Sequence, residues 1–166
     1  MSAATSYDAV RSPEPTRVLL AVRGGEPDGW AREIPRILAM WSRPSIRILA
    51  VVAAPAPAFT SLLPAAGRMY GAARAAWRDA EEKKIQRVID ELTAGLPGVP
   101  DVVWARVAGD PGRAITEHAR RWPADALLMA ATSGLGARLC GVQDRVVRDV
   151  GCPVVLTSAS PVAQEA

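Results

Sequence analysis

The residues best suited to chemistry lie in one glycine-containing stretch in the last third of the chain. Its glycines and polar side chains are Thr132, Ser133, Gly134, Gly136, Arg138 and Gly141. Glycines let backbone amides approach a phosphate closely, and hydroxyl and guanidinium groups bind the same anion. The stretch therefore predicts an anion-binding loop. A plain turn, in which the glycines serve only the backbone, is the alternative.

A second candidate group follows the first apolar run of the sequence. Arg23 stands there, directly before Gly24 and Gly25. A cation beside flexible backbone is again suited to an anion. Arg23 is therefore predicted to face the same ligand as the later loop.

The remaining nucleophiles and bases are not arranged for catalysis or metal binding. His118, the single histidine, falls in the middle of a predicted helix without a serine or cysteine close in sequence, so we expect a surface position and not a base. Cys152 precedes a proline and is predicted to be buried, whereas Cys140, before a helix, is a hypothetical redox-sensitive thiol. No catalytic residue and no metal site are predicted.

Composition restricts the class of protein. The 166 residues, 49% apolar and 22% charged, are typical of one folded domain. The net charge of +3 contains no block of five like charges, so we expect no nucleic-acid partner. No apolar run reaches about 18 residues, and the first 16 residues lack a secretory core, so a cytoplasmic protein without a membrane partner is expected.

Short apolar runs alternate with amphipathic segments along the whole chain. The predicted strands are Arg17 to Arg23, Ile46 to Val52, Asp101 to Ala108, Ala126 to Ala131 and Pro153 to Thr157. A first helix is predicted after Asp28, and a long second helix is predicted to begin by about Tyr70 and to end at Gly95. Two further helices are predicted from Asp110 to Trp122 and near Val142 to Val150. Pro35 must kink the first helix or lie near its start.

This alternation predicts an α/β domain over residues 17–158, between tails at 1–16 and 159–166. Parallel strands need crossover helices, so we expect a five-stranded parallel sheet with helices on both faces. Ligands of such sheets bind outside the carboxyl ends of the strands, here after strands one and four. The long connection from Ala54 to Gly67 is a candidate lid.

Four stretches in this order and spacing resemble the universal stress protein family. They are Gly109 to Pro111, Ala124 to Met129, Arg145 to Arg148, and Cys152 to Val155. The resemblance covers about residues 17–157 and implies an open Rossmann-like fold, similar to the adenine nucleotide alpha hydrolases. It also implies a homodimer formed through the last strand, near Val154 to Thr157. A loop or tail that covers this edge is the alternative.

Nucleotide-binding members of that family carry the pattern Gly-x2-Gly-x9-Gly-Ser/Thr after the fourth strand. Here Ala130 replaces the first glycine, the spacing is shorter, and a count back from Pro153 places Cys140 and Gly141 at the final Gly-Ser/Thr. In the alternative alignment Gly141 is the final glycine, and Val142 follows it without a hydroxyl. The usual acidic residue after strand one is replaced by Arg23. The resemblance adds Val51, at the end of strand two, to the candidate binding residues.

The resemblance implies a non-catalytic stress-response or signalling module. The altered loop predicts that ATP, or another small anion or nucleotide, binds weakly or not at all. An ATP pyrophosphatase-like enzyme is the alternative, but the stretch from Arg23 to Asp28 lacks the serines of its phosphate loop. A flavodoxin-like electron carrier would likewise need hydroxyls after strand one.

Overall fold

The computed structural model describes residues 17–54, 64–131 and 141–158, with residues 64–70 described by their backbone alone. The five predicted strands are confirmed, with ends shifted by two residues or fewer. They are β1 (Arg17–Val22), β2 (Ser45–Ala54), β3 (Asp101–Ala108), β4 (Ala126–Ala130) and β5 (Val154–Thr157). All five lie in one sheet in the order β3-β2-β1-β4-β5.

Every neighbouring pair of strands is parallel, as predicted. Val18 of β1 is paired with Ile46 of β2 on one side and with Ala126 of β4 on the other. The chain builds the sheet outward from β1 to β3 and then returns to place β4 on the opposite side of β1. The strand order therefore reverses between β1 and β4, which is where such sheets open a crevice.

Four helices connect the strands in the described part of the chain. They are α1 (Trp30–Leu38), α2 (Pro64–Gly95), α3 (Pro111–Arg121) and α4 (Val142–Asp149). α2, which was predicted to begin by about Tyr70, begins at Pro64, so the predicted connection from Ala54 to Gly67 was too long. Proline is well tolerated in a first helical turn, and Ala65 and Ala66 favour helix. The candidate lid is correspondingly shorter, and residues 55–63 lie outside the described residues.

α1 and α2 pack closely against each other on one face of the sheet. Trp30, Ile34 and Leu38 form the buried stripe of α1. Pro35 lies inside the helix, where it packs against α2, and a Cβ added to Gly95 would lie 2.9 Å from its Cγ. A glycine at the end of α2 thus permits the two helices to meet.

Alternate residues of the buried strands face two separate cores. On the α1 and α2 side, Leu20 and Ile48 pack with Ile85 of α2. On the α3 and α4 side, Leu19 packs with Ile115 of α3 and Val146 of α4, among others. Because both faces of the central strands are covered, β1 from Val18 onward and β4 are apolar throughout, which explains their continuous apolar runs in the sequence.

Candidate functional site

The start of α3 and the start of α4 are joined beside the carboxyl edge of the sheet. Asp110 caps α3, since its Oδ1 accepts a hydrogen bond from the Gly112 amide at 2.9 Å, and Pro111 occupies the first helical position. Its Oδ2 is paired with Arg145 of α4. A Cβ on Gly112 would lie 3.4 Å from the Val142 carbonyl oxygen, so the two helix starts are in close contact.

The end of β4 is tied to α4 by a side chain. Gln143 Nε2 donates a hydrogen bond to the Ala130 carbonyl oxygen at 2.6 Å. Gly141, with φ of 52°, precedes α4 in the left-handed region that favours glycine, and no side chain caps the helix there. The first turn of α4 therefore presents its amides near the point where the strand order reverses.

A small cavity, the carboxyl-edge pocket, lies between α2 and the start of α3, where β1 and β2 end. Its volume is about 140 Å³, and its lining residues are Arg23, Val51, Val52, Ala53, Trp77, Glu81 and Pro111. Typical pockets for whole ligands measure roughly 300 to 1,000 Å³. This pocket is therefore the size of a ligand fragment.

The walls of the carboxyl-edge pocket combine apolar, aromatic and charged groups. Val51 and the Trp77 side chain supply apolar surface, with Trp77 half-buried against the core. The Arg23 guanidinium has no hydrogen bond or ion pair with the described residues. The Glu81 carboxylate accepts from Lys84 Nζ at 2.5 Å. The pocket thus offers a cation that has no partner within the described part of the chain, together with a flat apolar surface.

The backbone amides directly after β1 bind the carboxylate of Glu26. The amides of Arg23 and Gly24 donate to Glu26 Oε1 at 2.6 Å and to Glu26 Oε2 at 2.8 Å. Gly24 adopts φ of 80°, the left-handed conformation that points successive amides to one side. This interaction neutralises part of the positive potential that Arg23 alone would create.

The structure brings together some of the predicted site residues. Arg23 and Val51 line the same pocket, whereas Gly141 begins α4 beside the end of β4. The Val142 side chain is buried in the core under α3 and α4, so only its backbone is available to a ligand. The other predicted residues, Thr132, Ser133, Gly134, Gly136 and Arg138, lie outside the described residues, as does Cys140.

Sequence reasoning missed three residues at this edge. Trp77 and Glu81 were not among the predicted site residues, yet both line the pocket. Glu26 was not singled out at all, although it follows the two glycines after β1. The order Arg-Gly-Gly-Glu was a signal for a side chain that returns to backbone amides, but the same order also occurs in unpaired turns.

A larger groove lies on the solvent side of α1 and α2. Its volume is about 500 Å³, and charged residues from both helices and from the β1–α1 connection line it, among them Arg32, Arg87 and Glu91. The three cations and three carboxylates along it balance each other in charge. It is therefore less suited to an anionic ligand than the carboxyl-edge pocket.

His118 lies away from the pocket, at the amino edge of the sheet. Burial lowers the pKa of His118, and Arg47 at the beginning of β2 and Arg121 lower it further. Arg47 in turn packs over the Trp122 ring at 4.8 Å and donates to Asp101. His118 thus belongs to the contacts that join α3 to the amino ends of β2 and β3.

Cys152 also lies at the amino edge, directly before β5. Burial raises the pKa of its thiol, and Asp125 adds to the effect. Such a thiol is mostly protonated at neutral pH and reacts slowly. Over 17–54, 64–131 and 141–158, no three His, Cys, Asp or Glu side chains are grouped as a metal site would require. No helix in the same ranges is long and apolar enough to cross a membrane.

These features define an open, Rossmann-like α/β protein with a pocket at the carboxyl edge of a parallel sheet. The model of the universal stress protein family matches residues 40–158, which is more than half of the chain. The protein belongs to the universal stress protein family. No curated protein matches its sequence.

Solved structures share the fold at low sequence identity. A universal stress family protein from Burkholderia pseudomallei is 21% identical, with 87% of this chain and 96% of that chain covered and a TM-score of 0.57. A universal stress protein in complex with cAMP is 22% identical, with 89% and 99% covered and a TM-score of 0.52. The Archaeoglobus fulgidus protein in complex with dAMP is 13% identical, with 85% and 96% covered and a TM-score of 0.51. At these identities the likeness shows the fold alone.

Proposed function

We propose that this protein is a non-catalytic stress-response module that binds an adenine nucleotide carrying a single phosphate, such as AMP, more readily than ATP. The observation that carries the proposal is the carboxyl-edge pocket, where Arg23, whose guanidinium has no partner among the described residues, lines the same cavity as Trp77 and Val51. Ligand binding would change the local order around Arg23 and the start of α4. Through that change the protein would respond to the concentration of the nucleotide.

The dimensions and lining of the pocket support a base-sized fragment. A volume of about 140 Å³ leaves no space for a whole nucleotide, so the sugar and phosphate would extend outward along the sheet edge. Trp77 and Val51 provide the apolar contact that a flat heteroaromatic ring needs, while the Glu81 carboxylate can accept from an exocyclic amine. One phosphate would then be paired with Arg23.

Two of the structurally similar proteins were solved with adenine nucleotides that carry one phosphate, namely cAMP and dAMP. Such ligands agree with the small pocket and with the Arg23 side chain that lines it. They also agree with the altered loop after β4, in which Val142 replaces a hydroxyl residue. A shorter loop offers fewer amides to a triphosphate.

The proposal that the protein is not an enzyme is supported by the positions of two reactive side chains among the described residues. His118 and Cys152 are both at the amino edge, whereas the pocket is at the carboxyl edge. A general base must come within hydrogen-bonding reach of the proton that it removes, and neither group is on that side. Nucleotide would therefore be bound and released unchanged, in the cytoplasm.

Calorimetric titration with AMP of the native protein and two charge-reversal variants tests the nucleotide proposal. Arg23→Glu removes the pocket cation, and we expect it to weaken AMP binding about 10- to 100-fold, as the loss of a charge-assisted hydrogen bond does. Arg148→Glu is the matched control, since Arg148 lies at the far end of α4 and pairs with Asp149. Equal affinity of both variants for AMP would refute the role of Arg23, and no AMP binding by the native protein would refute the function.

We further propose that the protein is a homodimer joined through β5. β5 is an outer strand of the sheet, and Leu156 within it is 43% exposed. Val147 on the neighbouring helix α4 is 52% exposed. An apolar outer strand with free backbone groups is suited to pairing with a second copy.

A further inference from the structure

We propose that the amides of Arg23 and Gly24 form an anion-binding site that Glu26 closes from within, and that Glu26 thereby selects against ligands with more than one phosphate. The Glu26 carboxylate takes the position that a second phosphate of the ligand would otherwise occupy. This inference deepens the proposed nucleotide site, on which its biological meaning rests. The closure itself is testable without any nucleotide.

The geometry of the two amides is that of an anion site. They are consecutive in sequence, and both point at one carboxylate, with N···O distances of 2.6 Å from Arg23 and 2.8 Å from Gly24. Gly24 has φ of 80°, which only glycine adopts readily. Successive amides in such a turn form a concavity that binds carboxylates and phosphates alike.

The concavity is held in place by α2. A Cβ on Gly24 would lie 3.0 Å from Ile85 Cγ1 and 3.4 Å from Lys84 Cβ, so the loop backbone lies directly on the helix. Ile85 is fully buried in the core. The backbone at Gly24 is therefore packed against a buried part of α2, which favours retention of the turn once Glu26 is removed.

The concavity also adjoins the proposed ligand. The Arg23 backbone donates to Glu26, while its side chain lines the carboxyl-edge pocket. Gly24 and Glu26 themselves line the larger groove beside α1 and α2, so Arg23 connects that groove with the pocket. A phosphate chain that extends from the Arg23 guanidinium past the backbone of Arg23 would meet this amide next. In the structure that amide is already occupied.

Glu26 excludes ligands with several phosphates more strongly than ligands with one. A side chain two or three residues from the amides acts at an effective concentration on the order of millimolar or above, so an external anion at micromolar concentration does not displace it. Its charge also repels each further phosphate at short range. A ligand with one phosphate can use Arg23 alone, whereas pyrophosphate and triphosphate groups meet the carboxylate.

The test follows the Arg23 and Gly24 amide resonances of ¹⁵N-labelled protein during titration with inorganic pyrophosphate. In Glu26→Ala we expect both resonances to shift in a saturable way at millimolar pyrophosphate or below, with at least about tenfold tighter binding than in native protein. Glu33→Ala, which removes a carboxylate paired with Arg36 on α1, should behave like native protein. Glu26→Gln, which keeps an acceptor but no charge, should be intermediate and serves if the alanine variant does not fold.

Unchanged Arg23 and Gly24 resonances in both Glu26 variants would overturn the proposal, as would equal shifts in native protein. The AMP titration is separate. Native protein that fails to bind AMP, while Glu26→Ala binds pyrophosphate at these amides, would refute the nucleotide function and leave the closed anion site established.

Discussion

Single residues at the amino edge determine how stability responds to pH. His118 has a lowered pKa because of burial and of Arg47 and Arg121, and its Nε2 is buried without a hydrogen-bond partner in the described residues. The unfolded chain binds the proton more tightly, so the neutral form stabilises the folded state. That stability is fully present above about pH 6.5 and is lost as pH falls through the lower folded pKa.

His118→Gln should therefore flatten the pH dependence of stability. We expect the free energy of unfolding of native protein to decrease between pH 7 and pH 5 by more than that of the variant, as measured by urea denaturation. Carboxyl groups such as Glu82 and Glu117 have lowered pKa values because of their arginine partners, so they contribute at lower pH and equally in both proteins. If the free energies of unfolding of native protein and variant change in parallel from pH 7 to pH 5, His118 has the same pKa in the folded and the unfolded state. That result would contradict the prediction.

The sequence suggests single site residues only where a candidate role depends on residue type and local spacing. Arg23 and Gly141 were selected as candidate site residues from their type and their position beside apolar runs, and a ligand role for them stays a prediction. Glu26 and Trp77 were not, because their roles depend on a contact with backbone amides and on a cavity between two elements. Such contacts exist only once the chain is folded.

At the scale of elements, the close contact between the starts of α3 and α4 depends on one carboxylate. Asp110 both caps α3 and pairs with Arg145. We expect Asp110→Ala to lower the free energy of unfolding by about 1 to 2 kcal/mol through loss of the cap. Asp110→Asn keeps the cap acceptor and loses only an exposed ion pair, so it should cost about 1 kcal/mol or less.

Urea denaturation of the two Asp110 variants measures this difference. Equal losses would mean that the ion pair, and not the cap, stabilises the two helix starts. Asp101→Asn is a suitable control, since Asp101 also pairs with an arginine but caps no helix.

Most elements were predictable from the sequence because strands buried on both faces must be apolar throughout. The start of α2 was not, because prolines and alanines suit both a loop and a first helical turn. The packing of Gly95 against Pro35 was likewise not predictable from the sequence. Gly95 alone indicated the end of one helix, and Pro35 alone indicated a kink or the start of another.

For the whole molecule, the exposed side chains of β5 predict self-association. Leu156→Lys should convert the proposed dimer to monomer in light scattering, because a charge at a paired apolar strand is costly. Val99→Lys is the matched control, since Val99 is 98% exposed and precedes β3 at the other edge of the sheet. A monomeric native protein, or a Leu156→Lys variant that remains dimeric, would exclude β5 as the interface.

The central claim is that the carboxyl-edge pocket binds an adenine nucleotide with one phosphate in preference to ATP. The most direct measurement is parallel calorimetric titration of native protein with AMP and with ATP and magnesium, together with mass analysis of nucleotide that remains bound through purification. We predict micromolar binding of AMP, at least about tenfold weaker binding of ATP, and AMP as the retained species. Tighter binding of ATP, or retained ATP, would contradict the account.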